Sequence, residues 1–208
     1  MKPLLTIAIP TLTRRKLIFD ELYNEFIKQI NEYGNKIEIV SICDDGEITI
    51  GQKRNNLNEM AKGKYVVQWD DDDWIHPNGI DMIMEGIKSD VDVISYNHYT
   101  DIKEWGKLQN LHKYCSLKYK PPIGKIDYEN SIITCTPDQK SVIKNEIAKS
   151  VKFYNMNLNE DWTYMRDILP FLKTEFYINE FIYFYLNRSN ETMDVYKRHR
   201  IDKSNKIL

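Results

Sequence analysis

Four consecutive carboxylates, Asp70 to Asp73, follow a short apolar run in the stretch VVQWDDDDWIHP, residues 66–77. Like charges this close raise one another's pKa, so a cation or a set of hydrogen-bond donors has to compensate them. A divalent metal ion would do so most simply. An acidic run taken alone also fits a solvated surface turn, but a position directly after a buried strand favours a metal site.

The kind of metal follows from what the run lacks. A calcium EF-hand loop beginning at Asp70 would need Gly at its sixth position and Glu at its twelfth, where this chain has Ile75 and Asp81. A few carboxylates on a tight loop suit Mg²⁺ or Mn²⁺, which keep positions open for water and phosphate oxygens. We therefore expect a site for a metal-bridged diphosphate.

The elements that would position these acids alternate between two periods. Short β-branched runs predict strands covered on both faces, and amphipathic stretches between them predict helices, which together indicate a parallel sheet with right-handed crossovers. Ligands bind such sheets outside the carboxyl ends of the strands, where Asp44–Asp45 and Asp70–Asp73 fall. The predicted strands are residues 4–9, 37–42, 64–69 and 91–96, and the predicted helices are 18–30, 52–62 and a third from Pro77.

The second half of the chain is less regular. Residues 98–130 are aromatic and polar, and we interpret them as an irregular, substrate-facing loop. A strand is predicted at 131–136, helices at 137–151 and 160–173, and a long strand or strand pair at 176–186.

Length and composition bound the protein class. The 208 residues fit one domain, and the formal net charge of -2 excludes a strong overall attraction to either sign of partner. The three cysteines (Cys43, Cys115 and Cys135) have no CxxC or zinc-type spacing and are interpreted as free thiols in a reducing compartment. The apolar runs are too short for a transmembrane segment, and we expect a cytoplasmic protein.

Two nucleotide-binding signatures can be excluded directly. No GxGxxG follows the first strand, and no GxxxxGK[ST] phosphate loop occurs in the chain. Neither a dinucleotide oxidoreductase nor a P-loop hydrolase is indicated.

Four segments, in order along residues 4–166, resemble the motifs of the family 2 glycosyltransferases. TIAIPTLTRR is similar to that family's opening strand and turn, and IEIVSICDDGE to its second strand with an acidic pair. GQKRNNLNEMAKGKYVVQWDDDDWIHP resembles the segment that ends in the DxD motif, and KFYNMNLNEDWTYMR the segment that carries the catalytic base. The resemblance implies a GT-A fold: an α/β, Rossmann-like, mainly parallel sheet with helices on both faces and a smaller C-terminal acceptor-side region.

The resemblance also implies a division of labour along the chain. Residues 1–97 would form the half that binds a nucleotide-sugar, and residues 98–190 the half of the same domain that carries the catalytic base and the acceptor. Pro10, Thr11 and Asp44 would line the nucleoside pocket, with Arg54 beside it. Residues 191–208 would be a basic tail suited to an anionic partner.

The chemical roles concern five acids. Asp72 would bind Mn²⁺ or Mg²⁺ directly, with Asp70 nearer the ribose or a metal-bound water and Asp73 orienting the sugar or supporting the metal site. Asp161 would be the general base, supported by Glu160; ordinary acids at a helix N-terminus are the alternative for this pair. The implied reaction is an inverting, metal-dependent transfer from a UDP-sugar to a hydroxyl acceptor, which we expect to be a glycan, a lipid-linked sugar, a nucleobase or a protein.

The chain departs from the family pattern at several points. Leu12–Thr13 replaces a common Tyr–Asn, the spacing from Asp161 to Arg166 is short, and the expected late histidine is absent, with His199 lying further on. These departures keep open a non-catalytic nucleotide-sugar binder. A sugar-phosphate nucleotidyltransferase is the other alternative, although IPTLTRRK lacks the glycines of its phosphate loop. Three tryptophans fit either the core or a sugar platform, and three histidines are given no role (Trp69, Trp74, Trp162; His76, His98, His112).

Overall fold

A computed structural model describes residues 2–104, 107–119, 125–127 and 129–186. The basic tail, its expected anionic partner and His199 lie outside the described residues. Among the helices of the described ranges, none combines the length and the apolar character that a bilayer crossing requires.

The first three predicted strands form a parallel group at one end of the sheet. β1 (Leu5–Leu12) lies between β2 (Ile37–Asp44) and β3 (Tyr65–Gln68) and pairs in parallel with both. The carboxyl ends of these strands therefore meet at one rim, as the sequence predicts. A two-residue strand, β4 (Trp74–Ile75), follows the acidic run.

Alternate residues of β1 point to opposite faces of the sheet, and each face is covered by helices. Ile7 and Ile9 pack in a core cluster with residues of α1 (Lys16–Ile30) and α3 (Gly79–Ile87). Ala8 packs in the other cluster, with residues of α2 (Ile50–Met60), α4 (Asn145–Ser150) and α5 (Glu160–Ile168). The predicted α/β architecture with helices on both faces is confirmed.

The sheet continues past β3 as a mixed sheet. The further strands are β5 (Val93–Glu104), β6 (Lys107–Cys115), β7 (Lys125–Asp127), β8 (Ile132–Cys135) and β9 (Val142–Lys144). The order is β2-β1-β3-β9-β5-β6-β8-β7, and β9 is antiparallel to both β3 and β5. The last strand, β10 (Glu175–Tyr185), is parallel to β5, with register shifts, and antiparallel to β4. This last strand crosses from the sheet to the segment that follows the acidic run.

Two predictions of local structure were wrong. Most of the expected loop over 98–130 is sheet, because β5 runs to Glu104 and pairs with β6 (Lys107–Cys115), and β7 (Lys125–Asp127) pairs with β8 (Ile132–Cys135). The helix predicted over 137–151 begins only at Asn145, since the residues before it pair with two strands as β9. In both places, pairing between distant segments outweighs the local pattern. Because β5 also crosses residue 97, the division of the chain at that point stays a prediction.

Candidate active site

The four aspartates of the acidic run have four different environments. The side chains of Asp71 and Asp73 are buried, whereas those of Asp70 and Asp72 are 22% and 30% exposed. The run follows β3, and the backbone N–H of Trp69 donates to the carbonyl of Ala8 at 2.9 Å, which ties it to β1. Asp72 is thus the carboxylate of the run most open to solvent.

Arg15, in the turn after β1, supplies a cation to the run. Its Nη1 lies 2.8 Å from Oδ1 of Asp71 and 3.1 Å from Oδ2 of Asp72. The hydroxyl of Thr11 donates to the other oxygen of Asp71 at 2.6 Å. The buried Asp71 is therefore a structural link between the acidic run and β1, and Asp72 shares its cation.

Asp70 belongs to a buried ionic network with Arg54 and Glu160. Nη2 of Arg54 donates to Asp70 at 2.7 Å and Nε donates to Glu160 at 3.3 Å. Burial on its own would raise the pKa of Asp70, but the charges of Arg54 and Lys140 outweigh it and lower that pKa. Burial would likewise lower the pKa of Arg54, and the carboxylates raise it instead. Both groups stay charged at neutral pH.

Asp73 is enclosed by β10. One carboxylate oxygen accepts the hydroxyl of Tyr183 and the other accepts the backbone N–H of Leu186 at 2.9 Å. Burial, together with repulsion from Asp70 and Asp72, raises the pKa of Asp73 well above its usual range. Burial and repulsion from Asp70 and Asp71 raise the pKa of Asp72, where the charge of Arg15 opposes them.

A first cavity, of about 460 Å³, opens beside the ends of β1 and β2. Lys53 lies in its wall and donates to the carbonyl of Thr11 at 2.7 Å and to Oδ1 of Asp44. This hydrogen bond lowers the pKa of Asp44 against the opposing effect of burial. The second oxygen of Asp44 is buried and has no partner among the described residues. The cavity wall includes Pro10, Thr11, Arg14, Arg15, Lys53 and Glu160.

The loop before α5 is fastened to the start of α2. Thr49 caps α2 by accepting the N–H of Gln52 at 3.1 Å, and the N–H of Gly51 donates to the carbonyl of Met156 at 3.1 Å. A Cβ atom on Gly51 would lie 1.8 Å from the carbonyl oxygen of Tyr154. Only glycine permits this approach, which places Glu160 against Arg54.

A second cavity, of about 340 Å³, lies on the other side of α5. Asp161 and Trp162 line it, and the Trp162 indole is 51% exposed. Oδ1 of Asp161 accepts the N–H of Trp162 at 2.8 Å, which orients the carboxylate at the helix N-terminus. Other residues in its wall are His98, Lys113, Asp138, Lys140, Tyr183 and Tyr185.

The N-terminus of α5 therefore separates the two cavities. Glu160 lines the first cavity and Asp161, the next residue, lines the second. Asn159 precedes them with a left-handed φ of 64°, which turns the chain into the helix. Tyr183 connects the second cavity to the acidic run, since its hydroxyl contacts Asp73 and lies 3.3 Å from Asp70.

The structure thus brings most of the predicted residues into one region. Asp44, expected in the wall of the nucleoside pocket, does not line the first cavity but pairs with Lys53, which does. Arg54, expected beside that pocket, bridges Asp70 and Glu160. Trp69 is a core residue packed on Phe26 and Tyr183. Arg166 pairs with Asp167 on the outer surface of α5.

Sequence reasoning missed four residues of this region. Arg15 carries the cation nearest Asp72, and Lys53 carries the cation nearest Asp44. Both had a usable signal in the sequence, because Arg15 follows the end of β1, at the same rim as the acids, and Lys53 follows the acids at the end of β2. Lys140 and Tyr183 had none, since more than sixty residues separate each from the acidic run. Nζ of Lys140 lies 3.3 Å from Oδ2 of Asp70.

The acidic run suits a hard divalent cation. Asp70 and Asp72 offer only oxygen ligands, which Mg²⁺ and Mn²⁺ prefer, and Asp72 keeps an exposed side for water and phosphate oxygens. Arg15 already places a positive charge between Asp71 and Asp72. The residues present therefore fit the metal that the family resemblance implies.

Comparison with known families agrees with this geometry. The model of the family "Glycosyl transferase family 2" matches residues 46–152, just over half of the chain. The chain belongs to this family. No curated protein sequence matches it.

Solved structures show the same fold. A structure of S. aureus TarS 1–349 in complex with UDP-GlcNAc is 16% identical, with a TM-score of 0.62 over 93% of this chain. TarS 1–349 in complex with UDP gives a TM-score of 0.58 over 88% of this chain at the same identity. The present chain spans only 61% and 60% of those two structures. The likeness confirms the GT-A type of α/β fold.

Proposed function

We propose that this protein is an inverting glycosyltransferase that moves a sugar from a UDP-sugar to a hydroxyl acceptor with the help of Mn²⁺ or Mg²⁺. The observation that carries the proposal is the separation of two cavities by adjacent acids, Glu160 and Asp161. One cavity adjoins the metal-suited acidic run, as a donor site requires. The other presents a carboxylate to a potential acceptor.

The donor would lie in the first cavity. Asp44 would accept an N–H of a nucleobase with the oxygen that has no partner among the described residues, and Pro10, Thr11 and Lys53 form the cavity wall. The diphosphate would extend toward Asp70 and Asp72, the residues that would hold the divalent cation. When bound, that cation stabilises negative charge on the leaving diphosphate without a proton transfer. UDP is the ligand in TarS complexes of the same fold, which supports uridine as the base.

The acceptor would lie in the second cavity. Asp161 would take the proton from the acceptor hydroxyl while the oxygen of that hydroxyl forms a bond to the anomeric carbon. The bond from the anomeric carbon to the diphosphate would break, and its electron pair would stay on UDP. Attack from the side opposite the leaving group inverts the anomeric configuration. The exposed face of Trp162 offers an aromatic platform for a sugar ring beside this carboxylate.

The test is UDP release from a panel of UDP-sugars with Mn²⁺, with water or added sugars as acceptors, for the wild type and Asp161→Asn. A general base contributes roughly 10²–10⁴-fold, so the variant should lose about 100-fold or more in kcat while UDP binding is unchanged. Asp167→Asn, on the outer face of the same helix, is the matched control. Wild-type binding of UDP without any turnover would instead support the non-catalytic binder, and equal rates in both variants would remove Asp161 from the mechanism.

A further inference from the structure

We propose that His98, Cys115, Cys135 and Asp138 form a zinc site in the wall of the second cavity, separate from the acidic run. One ligand atom from each of His98, Cys115 and Asp138 lies within 4.8 Å of the others, and all three residues are buried. The thiol of Cys135 lies 2.7 Å from that of Cys115. A nitrogen, two sulfurs and an oxygen are a ligand set that Zn²⁺ takes in tetrahedral sites.

The fold fixes these donors from three strands and a loop. Cys115 ends β6 and Cys135 ends β8, and the two residues are direct neighbours in the parallel pairing of these strands. His98 lies on β5, the other neighbour of β6, and Asp138 on the segment that leads to β9. Small adjustments of four side chains on a rigid sheet would therefore close the site.

His98 supplies an independent sign of a ligand. Its ring is 2% exposed and its Nε2 is buried without a partner among the described residues, while Nδ1 lies 4.0 Å from Oδ2 of Asp138. Burial lowers the pKa of His98 to about 3, so the imidazole is neutral, the form that binds metal. A buried polar nitrogen without a hydrogen bond is costly, and a metal bond would remove that cost.

The net charge of the buried cluster would be the same with and without Zn²⁺. Lys113 donates to Oδ2 of Asp138 at 2.7 Å, a buried pair of opposite charges. Burial raises the pKa of Cys115 well above its usual range, so this thiol is neutral without metal. When Zn²⁺ binds, two S–H bonds break, two protons leave for solvent and two Zn–S bonds form. The net charge of the buried cluster does not change.

The donor set also separates this site from the acidic run. Thiolate and imidazole select zinc over magnesium, whereas carboxylates alone favour magnesium and manganese. An ion can enter from the second cavity, whose wall includes His98, Cys135 and Asp138. Bound there, zinc would hold β5, β6 and β8 together and stiffen one wall of the cavity that Asp161 lines.

The test uses the full chain, freed of metal by a chelator and kept reduced with a phosphine. Zn²⁺ is titrated with excess Mg²⁺ present to occupy the carboxylate loop, and Co²⁺ is used as a spectroscopic probe. We expect one equivalent of tightly bound Zn²⁺, a higher Tm, and a near-ultraviolet thiolate-to-cobalt charge-transfer band. Loss of a residue that only hydrogen-bonds to a metal ligand typically costs about 10–100-fold in metal affinity. Cys115 would be a ligand itself, so Cys115→Ser should bind Zn²⁺ at least about 10-fold more weakly.

Cys43→Ser is the matched control, because Cys43 is an exposed thiol away from the cluster. If Cys115→Ser does not fold, protection of wild-type thiols decides: Zn²⁺ should shield Cys115 and Cys135, but not Cys43, from alkylation. A cobalt spectrum without the charge-transfer band, equal zinc affinity in Cys115→Ser, or a Cys115–Cys135 disulfide in the purified chain would overturn the proposal.

Discussion

The guanidinium of Arg54 and the carboxylate of Asp70 lie 2.7 Å apart in the interior, and the same guanidinium reaches Glu160 on a helix more than a hundred residues further along the chain. This contact joins the acidic run to the helix that carries Asp161. Asp70 and Glu160, the residue before Asp161, are therefore held by one shared cation.

Removal of this cation should be strongly destabilising. Arg54→Met leaves Asp70 and Glu160 without their shared partner, and breaking a buried ion pair typically costs about 3–5 kcal/mol. Urea denaturation would measure the free energy of unfolding. Lys152→Met, which breaks a surface pair with Glu59, should leave it unchanged within error. A loss below about 1 kcal/mol for Arg54→Met would contradict the buried network.

Arg15 should compete with metal for the acidic run. Arg15→Ala removes the cation that contacts Asp71 and Asp72, and a unit charge about 4 Å away is worth about 1 kcal/mol in water, or about fivefold in affinity. We expect tighter Mn²⁺ binding in the absence of nucleotide, measured by electron paramagnetic resonance. Lys16→Ala removes the same charge from a pair with Asp20 and should have no effect. Weaker binding in Arg15→Ala would show that Arg15 does not occupy the position of the metal.

Gly51→Ala should disturb the first cavity. The added methyl would meet the carbonyl of Tyr154 at 1.8 Å, and overpacking of this kind costs about 1–3 kcal/mol. Displacement of the loop would move Glu160 away from the first cavity, so UDP affinity should fall along with stability. Met60→Ala, at the exposed end of the same helix, is the control in calorimetric titration. Unchanged UDP affinity in Gly51→Ala would separate the loop from the donor site.

Asp92 should contribute to stability in a pH-dependent way. Burial alone would raise its pKa, but the backbone N–H groups of Lys173 and Thr174, at 2.9 and 3.0 Å, outweigh it and lower that pKa. A lowered carboxyl pKa stabilises the fold above the unfolded value of about 3.9, and this stability is lost as the pH falls through the folded pKa.

Asp92→Asn should therefore be less stable than the wild type at pH 7, by about 1 kcal/mol or less, and the difference should shrink as the pH falls below about 4 and vanish below the folded pKa of Asp92. Chemical denaturation across this pH range would measure it. Asp20→Asn, which changes an exposed carboxylate paired with Lys16 on α1, is the matched control. A difference that does not change with pH would point to packing instead of charge.

The part of the fold that the sequence predicts is the part where local pattern and burial agree. β1 and β3 are almost continuously buried because helices cover both faces of the sheet, and the acids at the ends of β2 and β3 could be placed at one rim from strand direction alone. β6 and β9 were missed because they are defined by their partners: β9 is three residues long and is a strand only between β3 and β5.

The same limit applies to the sites. Asp44 and Asp72 lie near strand ends in the sequence, so their position could be predicted. The contact of Tyr183 with Asp73 could not, because the two residues are 110 positions apart in the sequence. His98 is given no role from the sequence because it shows no pairing or ligand spacing, and Cys115 and Cys135 have no zinc-type spacing. Only the neighbouring positions of three strands bring these side chains together.

The most direct test of the central claim is UDP binding by calorimetry, with and without Mn²⁺, for the wild type and Asp72→Asn, with GDP, CDP and dTDP as comparators. We expect that Mn²⁺ strengthens UDP binding to the wild type, that the other nucleotides bind more weakly, and that Asp72→Asn abolishes the metal effect. Failure of every nucleotide to bind under any metal condition, or an undiminished metal effect in Asp72→Asn, would contradict a nucleotide-sugar site at the acidic run.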